Sequence, residues 1–229
     1  MNRKDKRFAL LLKLPLYLWT VLFVLAALGY VIGLSLQSRG ELIGVSGQWT
    51  LDNYARLREP QYFQVLVNSL RLAALTTLLC ALIGYPFGYL MARLKPASRS
   101  IVTLLLVVPF WTNSLIRIYG WRILLIGNGP INTLLMSLGW IQQPLKLLNT
   151  EGAVFLGMVY ALIPFMILPT YTSVEKLDWS VVEAGRDLGA GKVRAFFTVT
   201  LPLTAPGVMA GCVLVFVPSM GLFFISDLL

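Results

Sequence analysis

Long apolar runs dominate the chain and predict helices that cross a membrane. Four runs carry no charged residue over more than 20 positions. A helix needs about 20 apolar residues to cross a bilayer core of roughly 30 Å, so each run is long enough to span it. These four runs and a fifth stretch of less regular composition give the predicted spans, which are residues 14–36, 66–92, 101–126, 152–174 and 205–226.

The third span, residues 101–126, is the irregular one. It is free of charge only as far as Ile116, and Arg117 and Arg122 follow. Proline removes a backbone donor and disrupts the helix around it, so Pro109 predicts a bend. We therefore expect a bent span with a polar outer end.

The first run follows Arg3, Lys4, Lys6 and Arg7, the arrangement of a secretory signal. A signal peptide has a shorter apolar region and a small-residue cleavage site, neither of which is seen here. An uncleaved membrane anchor is the favoured interpretation.

Charge is scarce and unevenly placed. The chain is 57% hydrophobic and 13% charged, with a net charge of +9. Twelve basic residues fall before the first span, after the second and after the fourth, whereas the alternate loops hold four. By the positive-inside rule the N-terminus, residues 1–13, is cytoplasmic. Because bilayer spans separate the basic segments, they form no single nucleic-acid-binding face.

The sequence offers little chemistry for catalysis. It has no histidine, and its two cysteines, Cys80 and Cys212, lie in apolar spans as packing residues. The segment Gly189–Lys192 resembles the end of a phosphate-binding loop but lacks the first glycine and the final hydroxyl. We therefore predict no catalytic residue, no metal site and no cofactor in this chain.

The loop at residues 175–204 is the longest charged stretch on the predicted inner face. Ser180 and Glu183 have the spacing of a capping box that would start a short helix, and Gly189 is placed to end it. A second helix is expected from about Lys192 to Leu201, before Pro202 and the last span. The loop is either a solvated helical hairpin or a docking element, and its many small residues favour docking.

The same loop resembles a known family motif. The binding-protein-dependent ABC importer permeases carry E-A-A-x3-G-x9-I-x-L-P in a cytoplasmic loop. This sequence matches the spacing throughout and departs at two positions, Gly185 for alanine and Val199 for isoleucine. The matching positions are Glu183, Ala184, Gly189, Leu201 and Pro202.

This resemblance implies a fold and a set of partners. The fold would be an all-α polytopic membrane protein of the inner membrane, with five of the six helices of a permease core present and the chain truncated at its C-terminus. The loop would couple to a cytoplasmic ABC ATPase dimer, which binds ATP and magnesium. The implied coupling residues are Glu183, Ala184, Gly185, Asp187, Gly189, Leu201 and Pro202.

A narrower resemblance is to the polyamine branch of these permeases. It rests on residues 109–121, on Leu51–Tyr54 and on the segment from Ser173 to Asp178, and covers the chain from about Asp52 onwards. It implies transport of spermidine or putrescine. A second permease subunit, a periplasmic polyamine-binding protein and membrane lipid would be the other partners.

A path for a polycation would use aromatic faces and a few carboxylates. Aromatic residues also gather at membrane interfaces for unrelated reasons, so either role is open for each. Arg117 argues against a simple cation funnel, and we expect it to reach outward or to pair with Asp227. The path candidates are Trp19, Tyr54, Trp111, Asn113, Tyr119, Trp121 and Asp227.

Three other functions compete with a polyamine permease. One is a permease for another organic cation or small solute, and another is a non-transporting membrane scaffold. The third is a membrane-embedded enzyme such as a lipid transferase, which needs converging catalytic groups that the sequence lacks. Whether the second permease subunit is a copy or a different chain is also open.

Overall fold

The computed structural model describes residues 3–39 and 45–229, which form two compact units divided between Leu66 and Val67. The first two residues of the predicted cytoplasmic segment 1–13 lie outside the described residues. The expected all-α fold is confirmed, with one small hairpin added. The helices are α1 (Arg3–Ser35), α2 (Asp52–Arg56), α3 (Pro60–Ala92), α4 (Pro96–Val107), α5 (Ser114–Leu125), α6 (Pro130–Ser137), α7 (Glu151–Glu175), α8 (Trp179–Asp187), α9 (Lys192–Ala195), α10 (Leu201–Gly221) and α11 (Phe223–Leu228).

The first unit joins α1 to a two-stranded hairpin and to α2. Strands β1 (Gln37–Arg39) and β2 (Val45–Trp49) are antiparallel, with Gln37 opposite Trp49. The Asn53 amide donates to the backbone oxygens of Ser35 and Gln37, at 2.9 and 2.8 Å. These bonds satisfy the Ser35 carbonyl, which the end of α1 leaves free, and tie α2 to both α1 and β1.

Within the described part of the chain, four helices are long and apolar enough to cross a membrane. A bent pair of helices makes a fifth span if it is counted as one. The four are Lys13–Ser35, Pro60–Ala92, Glu151–Glu175 and Lys192–Gly221, and the bent pair is Pro96–Trp111 with Ser114–Ser137.

The third span is broken, as the sequence predicts. After α4 the chain tightens into a 3₁₀ turn, Val108–Trp111, and Thr112 is extended. The two halves differ in direction by 95°. Asn113 restarts the helix by accepting the Leu115 amide at 2.8 Å. The break therefore falls a few residues after Pro109.

The core of the second unit is a close approach of α3, α7 and α10 around Met166, which is 0% exposed. A Cβ atom on Gly84 of α3 would lie 2.7 Å from the Cγ of Met166. A Cβ on Gly211 of α10 would lie 2.7 Å from its Sδ. Only glycine leaves room for the methionine at both positions.

The cysteines belong to the same core. Cys80 is buried, Cys212 packs beside its cluster, and neither forms a disulfide. The expectation that they are packing residues is confirmed.

The last span differs from the prediction at both ends. The expected separate helix from Lys192 to Leu201 is wrong, because α9 continues through a π-helical segment (Phe196–Thr200) directly into α10. Pro202 does not interrupt this helix: it comes just after the π-helical segment, and a local π adjustment accommodates the backbone groups that proline leaves unpaired. Beyond Gly221 the helix axis breaks at Leu222 and α11 follows, with Ile225 buried in a second apolar cluster formed with α5 and α7.

The glycine contacts predict a measurable stability difference. Gly211→Leu forces a side chain into Met166 and should destabilise the unit by about 1–3 kcal/mol, as overpacking does. Gly120→Leu is the matched control, since a Cβ there meets open space. Thermal unfolding in detergent should show a lower Tm for the Gly211 variant only, and equal melting of the two variants would contradict this packing.

Candidate coupling surface and substrate path

The loop between α7 and α10 is built around α8. Asp178 is its N-cap, because the carboxylate accepts the Ser180 amide at 3.0 Å. The predicted capping box of Ser180 and Glu183 is therefore wrong, since the helix begins at Trp179 and Ser180 already lies inside it. Hydrogen bonds from the Ser180 side chain and then its amide lower the pKa of Asp178.

The end of α8 is as predicted. Gly189 has a φ of +91°, the left-handed conformation that glycine adopts without strain. The Ala190 amide then donates to the Gly185 carbonyl at 3.2 Å. This cap fixes where α8 ends and turns the chain back toward α9.

One side of α8 rests on the π-helical segment. A Cβ on Gly185 would lie 3.3 Å from the Cγ2 of Val199, so these two positions face each other. They are also the two positions at which the sequence departs from the importer motif. Gly185 is smaller than the alanine of the motif, and Val199, which faces it, is smaller than the isoleucine of the motif.

The other side of α8 is open. Glu183, Ala184 and Asp187 are exposed, and Leu188 is 90% exposed. Beside them on α9, Val193 is 72% exposed. Exposed acidic and apolar groups on one short, capped helix form a surface suited to a protein partner.

The loop is anchored in the bundle where it leaves α7. Arg99 of α4 forms an ion pair with Glu175 at the end of α7 and donates to the Tyr171 hydroxyl at 3.3 Å. At the other end, Leu201 is half-buried and Pro202 exposed, in the first turn of α10. We conclude that the loop is attached to the spans through side chains as well as through the backbone.

The path candidates of the second unit fall into two groups. Trp111 is 80% exposed, and Tyr119 and Asp227 are also exposed. In contrast, Trp121 packs edge-on against Tyr160, with ring centroids 5.5 Å apart, and lies against the core. The structure gives Trp121 a packing role, whereas the exposed side chains are open to a solute or a partner.

The remaining candidates have local contacts. Asn113 is the N-cap of α5. In the first unit Trp19 is exposed and stacks on Phe23 at 4.3 Å, while the Tyr54 hydroxyl is 2.7 Å from the Ser35 hydroxyl.

Arg117 does not pair with Asp227. Among the described side chains the two form no ion pair, and the Nε of Arg117 is buried without a hydrogen-bond partner. Its guanidinium carbon lies 5.5 Å from the Phe110 ring centroid and 5.8 Å from that of Tyr160. A pocket of about 260 Å³ adjoins these groups. The rings solvate a charge that would otherwise be costly in a membrane.

The contact of Arg117 with Tyr160 joins distant segments and leaves no local signal in the sequence. A different signal is present at the end of α3, where Tyr85, Tyr89 and Arg93 recur every four residues and so share a face. In the described parts of the chain, no cluster of three acidic or cysteine residues could hold a metal ion.

Several apolar helices, a broken span and an exposed helix before the last span are the features of a membrane transport subunit. Residues 84–229 match the family described as binding-protein-dependent transport system inner membrane component. The chain belongs to this family, and it is a multi-pass permease subunit of the inner membrane and not an enzyme.

Relatives and solved structures agree with this assignment. The chain is 49% identical over 211 residues to the spermidine/putrescine transport system permease protein PotB of Escherichia coli K12, covering 92% of this chain and 77% of PotB. It is 46% identical over 214 residues to PotB of Haemophilus influenzae, covering 93% and 75%. A bacterial ABC transporter that imports alginate has the same fold, with a TM-score of 0.67 at 16% identity, over 90% of this chain and 70% of that one.

The capping geometry predicts how α8 responds to substitution and to acid. Asp178→Ala should increase the hydrogen-exchange rate of the Ser180 amide, whereas Asp178→Asn keeps an acceptor and should change it little. Because folding lowers the pKa of Asp178 from its ordinary 3.8, the stabilisation is present above that value and is lost as the pH falls through the lowered pKa. Equal exchange in the two variants at neutral pH would show that Asp178 is not the cap.

Proposed function

We propose that this chain is the polyamine permease subunit of an ATP-driven importer. It would enclose the translocation path with a second permease subunit of the PotC type, and a periplasmic polyamine-binding protein would deliver the substrate. The observation that carries the proposal is the 46–49% identity to spermidine/putrescine permeases over more than nine tenths of the chain.

The energy source is a cytoplasmic ABC ATPase dimer that docks on α8. This chain has no phosphate-binding loop of its own, so the ATPase binds ATP and magnesium. The exposed Glu183, Ala184, Asp187 and Leu188 are available for contact with it. The cap at Asp178 and the turn at Gly189 hold this surface as one rigid element.

The orientation follows from the charges. The distribution of basic residues supports a cytoplasmic position for the N-terminus and α8, on the side where ATP is present. The 3₁₀ turn that carries Trp111 precedes the outer half of the broken span. A substrate arriving from the periplasm would meet this exposed aromatic face before the closed core around Met166.

The direct test is uptake of labelled spermidine by proteoliposomes that hold this chain, the ATPase, the second permease and the binding protein. We expect uptake that requires ATP and the binding protein and that putrescine competes. Uptake of a neutral solute in preference to polyamines would contradict the proposed substrate.

Charge reversal tests the dock. Glu183→Lys should lower the ATPase that co-purifies with the permease by about tenfold, as reversing a charge in an interface does. Since Asp178 and not Glu183 caps α8, the helix itself should persist. Glu59→Lys, an exposed reversal on a predicted outer loop, is the control and should leave co-purification unchanged. Normal ATPase binding by the Glu183 variant would contradict the dock.

Removing one aromatic face tests the path. Trp111→Ala should lower spermidine uptake by about two- to fivefold, the range of one exposed cation–π contact, while the complex still assembles. Trp140→Ala removes a similarly exposed tryptophan, 75% exposed, from another loop and should not change uptake. Equal spermidine uptake by the two variants would show that Trp111 does not line the path.

A further inference from the structure

A basic side chain at the end of α3 lies between two aromatic rings. The guanidinium carbon of Arg93 is 4.6 Å from the ring centroid of Tyr89, one turn earlier, and 4.7 Å from that of Trp179. Trp179 is the first residue of α8. The two rings also meet edge-on, with centroids 6.0 Å apart. Arg93 thereby joins the exposed helix of the loop to a membrane-spanning helix that is distant in sequence.

The contact continues along the same face of α3. Phe196, the first residue of the π-helical segment, meets Tyr89 at 6.0 Å and Tyr85 at 5.7 Å, in both cases edge-on. The Tyr85 hydroxyl lies 3.0 Å from the hydroxyl of Thr204 on α10, and both groups are buried. One face of α3 therefore touches α8, the π-helical segment and α10 in succession.

The contact of Arg93 with the Tyr89 and Trp179 rings differs in chemistry from the packing of the core. The contacts around Met166 are tight and leave no room for movement, whereas a cation over an aromatic face keeps its attraction through small sliding motions. Among the described residues the ion pairs involve other side chains, Arg71 with Glu151 and Arg99 with Glu175. The rings are thus the partners of Arg93.

We propose that Arg93 is a positioning residue that clamps α8 to the end of α3. When the ATPase displaces α8, the clamp passes the movement to α3, while the continuous helix from α9 passes it to α10. The proposal rests on the proposed function, in which α8 is the ATPase dock. Loss of the clamp should leave the dock occupied but should break the link between ATP hydrolysis and transport.

The experiment measures spermidine transported per ATP hydrolysed in proteoliposomes holding the four-component complex. Arg93→Met removes the charge and keeps the length, and Trp179→Leu removes the ring. Each should lower the ratio by about fivefold, and the double variant should be no worse than either single variant, since both break one contact. Arg93→Lys and Trp179→Phe keep a cation and a ring and should retain most of the ratio.

A neighbouring charge supplies the control. Lys95→Met removes an exposed cation two residues away that makes no side-chain cap bond, and it should leave the ratio unchanged. A normal ratio for Arg93→Met, an additive double variant, or an Arg93→Lys variant as poor as Arg93→Met would each overturn the clamp.

The two proposals fail in different ways. If α8 is not the dock, the ATPase will bind the Glu183→Lys variant and the wild type equally well. If only the clamp is wrong, the ATPase will bind normally and respond to Glu183→Lys, but the Arg93 and Trp179 variants will transport with the wild-type ratio.

Discussion

The close approach of three helices at Met166 is the contact on which the rest of the second unit depends. Lipid is as apolar as the helix surfaces, so association within a membrane relies on packing, and small residues allow that packing. Gly84 and Gly211 let α3 and α10 close on the methionine of α7. Nearer the loop, Gly207 lets α10 approach α7 a second time, since a Cβ there would lie 2.6 Å from the Pro169 carbonyl. These contacts hold the three helices as one body.

Because the bundle is rigid, a movement of the loop can be transmitted to its helices. The loop leaves the bundle at Glu175, where Arg99 holds it, and re-enters through a helix that continues without interruption into α10. Between these points α8 presents an exposed surface while its other side contacts the π-helical segment. A π-helical turn within a helix is a frequent site of functional adjustment. Here it lies between the proposed dock and the span that the dock would move.

The sequence was sufficient for the spans and for the end of α8, because apolar runs and a glycine after a helix are local signals. The start of α8 was assigned wrongly because two acceptors compete for it, and Asp178 lies two residues before Ser180. The prediction of a separate helix before Pro202 was wrong because the π-helical segment accommodates the proline within one continuous helix. The contacts of Arg117 with Tyr160 and of Arg93 with Trp179 could not be predicted, since they join helices that are far apart in sequence.

The central claim is that α8 is the surface through which this permease meets its ATPase. Photo-crosslinking from a benzophenone side chain at position 188, where Leu188 is 90% exposed, tests it most directly. The same probe at position 140, on a predicted outer loop, is the reference. The account predicts a crosslink to the ATPase from position 188 and none from position 140. No crosslink from position 188, or equal capture from both positions, would contradict it.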